Sequence, residues 1–390
     1  MNSSDDPIFE YNKKSAEVIT TNNNFGLEML NTILENEDKA NVLISPASIS
    51  LALGMAYNGA ESSTKEAFES LLDYEGLSRD EVNEITQELI HTLVTNVKDN
   101  TLEIANSVWY HQDFPVYQSF IDLNTLYFDA EVKELDFSNP STVDKINKWV
   151  ADNTHDKIKE IINGLSPDAR MVLINALYFN CLWEIEFDKE ESAEEYFYNE
   201  NGSQYGLVTM MKTESEFNYA SNDNFTAVEL PYKNGKFSMH LFLPKGQKTV
   251  DELISELDGD SWNAWLESYQ KTEDVQVIMP KFKFDYEREM GPDLISMGLE
   301  EAFTNSADFS GISEIDLFIS RVIHKTYIDV NEEGTEAAAV TAIVFETTSV
   351  GPGGGPIIVR FDKPFLFAIT EKSSKSIVFI GKMMQPDYNE

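Results

Sequence analysis

The chain holds a single cysteine, Cys181, so no internal disulfide can form. At 390 residues it needs none, because a chain of that length can bury a sizeable core. No apolar run reaches the roughly 18 residues that a helical membrane span requires. The opening stretch MNSSDDPIFEYNKK lacks the apolar centre of a secretory leader. That leaves an intracellular protein or a secreted one whose leader is not part of this sequence, and the second is the expectation carried forward. Basic residues are scarce: 29 Lys and Arg stand against 68 Asp and Glu, a formal net charge of −39. Such a surface repels phosphate backbones and offers no basic cluster to anionic lipid, which argues against nucleic acid and membrane as partners. The simplest use of the surplus is solubility. The histidines His91, His111, His155, His240 and His324 are scattered, with no HExxH spacing. There is no GxSxG elbow and no Walker A loop, so nothing marks an enzyme, and no cofactor or metal is expected.

What is present is a packable chain, 42% hydrophobic and 12% aromatic. Residues 1–23 read as a polar lead-in, and 24–390 as one domain without internal repeats. Asn24 to Leu34 has helical apolar spacing. Asn41 to Ile44 reads as a short buried strand, followed by Ser45 as N-cap, Pro46 at the first helical position and a helix to about Tyr57 that is apolar nearly all round. Further helices are expected over Ser63 to Leu72, Arg79 to Val97, Val116 to Tyr127 and Val143 to Thr154. Leu102 to Tyr110 alternates like a strand, and Arg170 to Phe179 is a near-continuous apolar run fit for a central strand. Beyond Glu190 strands dominate, at Phe225 to Leu230, Phe237 to Leu243, Val275 to Phe284, Leu317 to Val330, Ile357 to Ile369 and Ser376 to Met383. Helices near Val250 to Ser268 and Met290 to Leu299 interrupt them. Helices early and strands late indicate an α+β fold.

One stretch stands apart, NEEGTEAAAVTAIVFETTSV at 331–350, followed by GPGGGP. As a strand it would put Thr335, Ala337, Ala339, Thr341, Ile343 and Phe345 on one uncharged face, small residues first. Its other face would carry Glu336, Ala338, Val340, Ala342, Val344 and Glu346. Gly334 just before it permits a sharp turn. Such a segment on a tether could slide between two strands. By pattern alone it reads equally as the start of a short surface helix with Thr335 as N-cap.

Ordered blocks along the chain resemble the serpin family from about residue 24 to Pro386, in an inhibitory and prokaryotic form. NVLISPASISLALGMAYNGA is similar to the family's signature strand and core helix, and NALYFNCLWEIEF to its central strand and the region above it. MPKFKF at 279–284, ADFSGIS at 307–313, HKTYIDVNEEGTEAAA, VRFDKPFLFAI and IVFIGKM match further blocks. The resemblance implies a serpin fold of three β-sheets with eight or nine helices, and an exposed reactive-centre loop at about 332–356. It favours the strand reading of 335–345.

The same resemblance implies suicide inhibition of a serine protease. The protease cuts the loop, an acyl-enzyme forms, and the freed loop inserts into the large sheet. About 14 residues from Gly334 to Thr348 would span roughly 45 Å when extended, enough to run the length of a sheet. Glu332, Gly334, Thr335, Glu336, Ala337, Ala338 and Ala339 match the hinge, whose entering face bears no charge or proline, as in the inhibitory branch. Trp183, Lys281 and Glu332 match the region where the sheet opens, with Lys281 and Glu332 as an ion pair and Trp183 packed beneath. Ser45, Ser48, Asn175 and His324 match positions that hydrogen-bond at the midpoint of the sheet. Asn180 departs from the pattern, standing where many relatives have lysine. Counting from Gly334 by the family's usual spacing puts the scissile bond between Thr348 and Ser349, with Val350 as a second site. A small, uncharged Thr348 suits a shallow specificity pocket, so the expected partner is an elastase- or subtilisin-like serine protease met by a monomer. The alternative is a non-inhibitory serpin acting as carrier or chaperone.

Overall fold

The computed structural model describes residues 13–166, 169–336 and 355–388. The N-terminal part is helical: α1 (Lys13–Leu34), α2 (Pro46–Tyr57), α3 (Ser62–Leu71), α4 (Arg79–Leu93), α5 (Gln118–Phe128) and α6 (Ser141–Asn153). The short strands β1 (Val42–Ile44) and β2 (Thr95–Val97) and the longer β3 (Asn100–His111) and β4 (Glu131–Leu135) lie among them. The remainder is mostly strand: β5 (Met171–Leu182), β6 (Ala193–Tyr198), β7 (Gln204–Ser221), β8 (Phe225–Pro231), β9 (Phe237–Pro244), β10 (Gln270–Pro280), β11 (Phe282–Glu289), β12 (Ile323–Val330), β13 (Gly334–Thr335), β14 (Ile357–Arg360), β15 (Phe365–Glu371) and β16 (Ile377–Met383). Three short helices, α7 (Val250–Ile254), α8 (Gly259–Glu267) and α9 (Gly291–Leu294), bring the α-helices among the described residues to nine.

Hydrogen bonding joins the strands into two sheets. The seven-stranded sheet runs β11-β12-β13-β5-β3-β2, with β4 beside β3. The nine-stranded sheet runs β1-β16-β15-β9-β8-β7-β10-β14, with β6 beside β7. The long β7 carries this second sheet from one lobe to another, pairing β8 at residues 218–221 and β6 at 204–210. The three sheets of the resemblance are thus the seven-stranded sheet and these two lobes.

Local chemistry explains the central layer. Ser45 caps α2, its side chain accepting from the Ser48 backbone N–H, and Pro46 sits where no donor is needed. With Ile49, Leu51, Leu53, Met55 and Tyr57 all buried, α2 has no polar face and packs against α1, β5 and β16. It is the hydrophobic floor on which the seven-stranded sheet rests.

Several boundaries differ from the sequence expectation, each for a local reason. The helix expected from Asn24 starts at Lys13, inside the stretch taken as a lead-in, and buries Val18 and Ile19. Its asparagines hid the pattern because their partners are remote: Asn22 accepts from the Tyr74 hydroxyl, and Asn23 bonds both Lys375 O and Ile377 N. The single helix expected over Val250 to Ser268 is two, because Asp258 caps α8 through a reciprocal box with Ser261. The strand expected over Ile357 to Ile369 is also two, β14 and β15, each in a different part of the sheet. Strand β6, rich in Glu and Tyr, carried no apolar signal that would have marked it, and β7 mixes buried apolar residues such as Met210, Met211 and Phe217 with charged ones in no single period.

Candidate functional site

The site lies where β12 turns into β13. Gly334 pairs with Leu182 and Thr335 with Cys181 on β5, while Thr335 also faces Val330 on β12. Among the described residues this two-residue strand is what joins β12 to β5. A side chain at 334 is impossible without rearrangement, since a Cβ there would lie 2.2 Å from the Cys181 carbonyl oxygen. Thr335 is the second residue of β13, and the residues that a helix capped by it would comprise lie outside the described residues from 337 on.

Thr335 is 3% exposed, and its Oγ1 lies 2.5 Å from the Tyr232 hydroxyl. Tyr232 stacks on Trp183, which is itself buried. The Trp183 indole N–H donates to Asn331 O at 2.9 Å, and its backbone N–H donates to Glu333 O at 2.9 Å. The Phe187 N–H donates to Glu332 O, also at 2.9 Å. The turn 331–333 is thus clasped from below by one segment, 183–187, and the first inward hinge side chain drops onto an aromatic floor. Trp183 thus lies directly beneath the 331–333 turn.

Glu332 is buried and meets Lys281 Nζ at 2.9 Å, while its other oxygen accepts from Ser192 Oγ at 2.9 Å. Burial by itself would raise this carboxyl's pKa. The hydrogen bonds from Lys281, a backbone N–H and Ser192, with the Lys281 charge, outweigh it and hold the group below its ordinary range. Lys281 and Glu332 thus form an ion pair that is largely buried rather than a surface contact. Lys281 also lies 4.4 Å from the centre of the Tyr388 ring. Asp387 O accepts from the Lys283 N–H, which draws the C-terminal residues over the same corner. Glu333 pairs with Lys189 on the other side of the turn.

Glu336 faces the opposite way from Thr335, as the alternation requires, and pairs with Lys157. Ala337, Ala338, Ala339, Thr348 and Ser349 lie outside the described residues.

Lower in the sheet, His324 Nε2 accepts from the Ser45 backbone N–H at 3.1 Å, and Ser48 is tied to Ser45 Oγ at 3.2 Å. Burial pushes His324 down to about 4, so the ring is neutral and its remaining proton is on Nδ1. Asn175 belongs to a separate pair: its Nδ2 donates to Asn106 Oδ1 at 2.8 Å, and Asn106 in turn donates to Phe128 O. Three of the four midpoint residues thus form one cluster and the fourth bonds elsewhere among the described residues. Asn180, the departure from the family pattern, donates to the Tyr178 hydroxyl at 3.0 Å. Tyr232, Ser192, Asn331, Lys157 and Tyr388 were not picked out from sequence. Asn331 lies within the block HKTYIDVNEEGTEAAA without having been given a role, and the other four reach the site from segments with no motif of their own.

A two-residue strand wedged into one end of a large mixed sheet, over a Trp–Tyr floor and beside a Lys–Glu pair, defines a serpin. The family model described as serpin (serine protease inhibitor) matches residues 20–386. The chain belongs to that family. An uncharacterized serpin-like protein of Methanosarcina acetivorans is 36% identical over 96% of this chain and 89% of its own length. Among solved structures, the native state of the thermophilic serpin tengpin is similar with a TM-score of 0.85 and 32% identity, covering 96% of this chain and 95% of that one. The complex of thyroxine-binding globulin with thyroxine is similar with a TM-score of 0.83 and 29% identity, covering 95% and 100%.

Proposed function

We propose that this protein is a secreted, monomeric suicide inhibitor of serine proteases with a small-residue specificity pocket, elastase- or subtilisin-like. The protease serine attacks the Thr348 carbonyl carbon. The amide bond to Ser349 breaks, the departing amine takes a proton, and an ester links Thr348 to the enzyme. The freed segment then enters the seven-stranded sheet between β12 and β5, carrying the ester and the protease with it.

The observation that carries this reading is the position of Thr335. The hinge has its first pair in the ladder, with Thr335 on the buried face and hydrogen-bonded there. By sequence alternation the residues that follow on that face are Ala337, Ala339 and Thr341, small and uncharged. On this face entry can therefore continue without burying a charge.

The test is incubation with a panel of serine proteases, read on a denaturing gel. A denaturant-stable adduct with elastase- or subtilisin-like enzymes is expected. Cleavage at the loop without any adduct would overturn the reading in favour of a non-inhibitory carrier.

A further inference from the structure

Glu336 is the first hinge residue whose side chain points to the outer face of the sheet, yet it is only 7% exposed. What covers it is the segment that follows α6. His155 and Asp156 have φ of 48° and 63°, two consecutive non-glycine residues in the left-handed region. This turn sets Lys157 over the space between β5 and β12. There the ammonium lies 3.0 Å from Glu336 Oε1 and 5.2 Å from the centre of the Tyr327 ring on β12. Tyr178 on β5 hydrogen-bonds the same carboxylate, accepts from Asn180 and packs against His155 in a tilted ring contact with centroids 4.1 Å apart. His155 Nε2 meets Glu103 at 2.9 Å. Glu336 itself has φ 56°, and its N–H donates to Asp329 O at 2.5 Å. Three left-handed non-glycine residues thus surround one ion pair, a concentration of local strain that surrounding contacts must sustain.

A glutamate on an exposed loop is fully hydrated. Carrying it into the sheet strips that hydration, and an uncompensated buried carboxylate opposes entry strongly. Lys157 is the cation that meets it. In the sequence, the next acidic residue of the same parity is Glu346, with Ala338, Val340, Ala342 and Val344 between. The electrostatic obstacle to early insertion is therefore concentrated at residue 336.

We propose that Lys157 is a positioning residue for loop insertion: its ammonium is the receptor for the Glu336 carboxylate, and entry beyond Thr335 depends on that charge being met. The proposal rests on the inhibitor reading above, but it has a readout of its own, because insertion can be followed after cleavage by a protease that is never trapped.

The experiment compares wild type, Lys157→Met, Glu336→Gln and the double variant. Met keeps the length and packing of the lysine stem without its charge. Lys157→Met is expected to raise the stoichiometry of inhibition about tenfold, as protease escapes before insertion completes. Glu336→Gln in the same chain should restore it, which a packing role for Lys157 on Tyr327 would not permit. The Lys157→Met defect should also shrink on acidification, since burial raises the Glu336 carboxyl above its ordinary 4.5. The other charged or titratable groups facing it are Tyr178 on β5 and Asp329 and Tyr327 on β12. In the second arm, a metalloprotease cuts the loop and the rise in melting temperature is measured. A full rise is expected for wild type and the double variant, and a smaller one for Lys157→Met. Wild-type stoichiometry in Lys157→Met, or failure of Glu336→Gln to rescue it, overturns the proposal. A wild type that traps no protease but melts higher after cleavage, with Lys157→Met blunting the rise, sinks the inhibitor reading alone and supports the receptor. No rise on cleavage of wild type overturns both.

Discussion

The indole of Trp183 lies flat on the phenol ring of Tyr232, with centroids 4.4 Å apart and planes 13° apart, and that phenol's hydroxyl is hydrogen-bonded to Thr335 Oγ1. The stack fixes the Tyr232 ring, so the hydroxyl presents itself at one height in the gap between β5 and β12. Thr335 is thereby seated on a defined side-chain partner as well as in the backbone ladder.

Removing that partner is the mildest test. Tyr232→Phe keeps the stack and leaves Thr335 Oγ1 unpaired in a buried place. Loss of about 1 kcal/mol in a urea unfolding experiment is expected. An unchanged midpoint would mean that the hydroxyl contact contributes nothing to holding the hinge.

Placing charge on the entering face is the severe test. Thr335→Arg puts a guanidinium where Tyr232, Cys181 and Val330 close in, all of them buried. Burying it unpaired costs several kcal/mol, on the order of 3–5. The expected outcome is a shift from adduct to cleaved product on a denaturing gel. Adduct at the wild-type yield would contradict the face assignment of the hinge.

Acid should loosen the fold through His324, the buried histidine near the start of β12. Burial lowers His324 from 6.5 to about 4, so between those values the unfolded chain binds more protons than the folded one. The stabilisation from keeping this ring neutral is fully present above about pH 6.5 and is lost as pH falls towards 4, about 3 kcal/mol in all. His240 is likewise held down to about 4 by burial and shares the window, its shift opposed by Glu229. His324→Gln, which retains an acceptor for the Ser45 N–H, should flatten the slope of stability against pH by roughly half. An unchanged slope would place the acid sensitivity elsewhere.

Cutting the loop should raise the melting temperature, because insertion adds a strand with ladder bonds of about 1 kcal/mol each and buries Ile343 and Phe345 at roughly 2 kcal/mol apiece. Mass spectrometry of the C-terminal fragment released from the adduct then locates the bond. A fragment starting at Ser349 is expected; one starting before Phe345 or beyond Gly351 would show that the count from Gly334 is wrong.

Much of this was legible in the residue pattern, and the reason differs from place to place. The apolar run that became β5 and the all-round apolar α2 announced themselves because burial on every side leaves no room for polar residues. The opposite facing of Thr335 and Glu336 followed from strand alternation alone. Lys281 and Glu332 came from likeness to other serpins, since nothing near either residue indicates that two positions so distant in the chain share a corner. Tyr232 and Lys157 escaped altogether: each acts through one atom across more than a hundred residues of sequence, and neither interaction leaves a period or a spacing behind. Strand β7 escaped for another reason. Its exposed and half-buried stretches alternate irregularly as it passes from one lobe to the next, so no single period runs through it.

Cys181 stands directly opposite Thr335, wholly buried, with burial pushing its thiol up to about 12. Because it is the chain's sole cysteine, a thiol-specific reagent has one address. While the hinge is seated, the sulfur is both shielded and protonated, and it stays inert. The rate at which it becomes labelled is therefore a clock for how often the top of the sheet comes apart, read in the wild-type protein with no engineered probe.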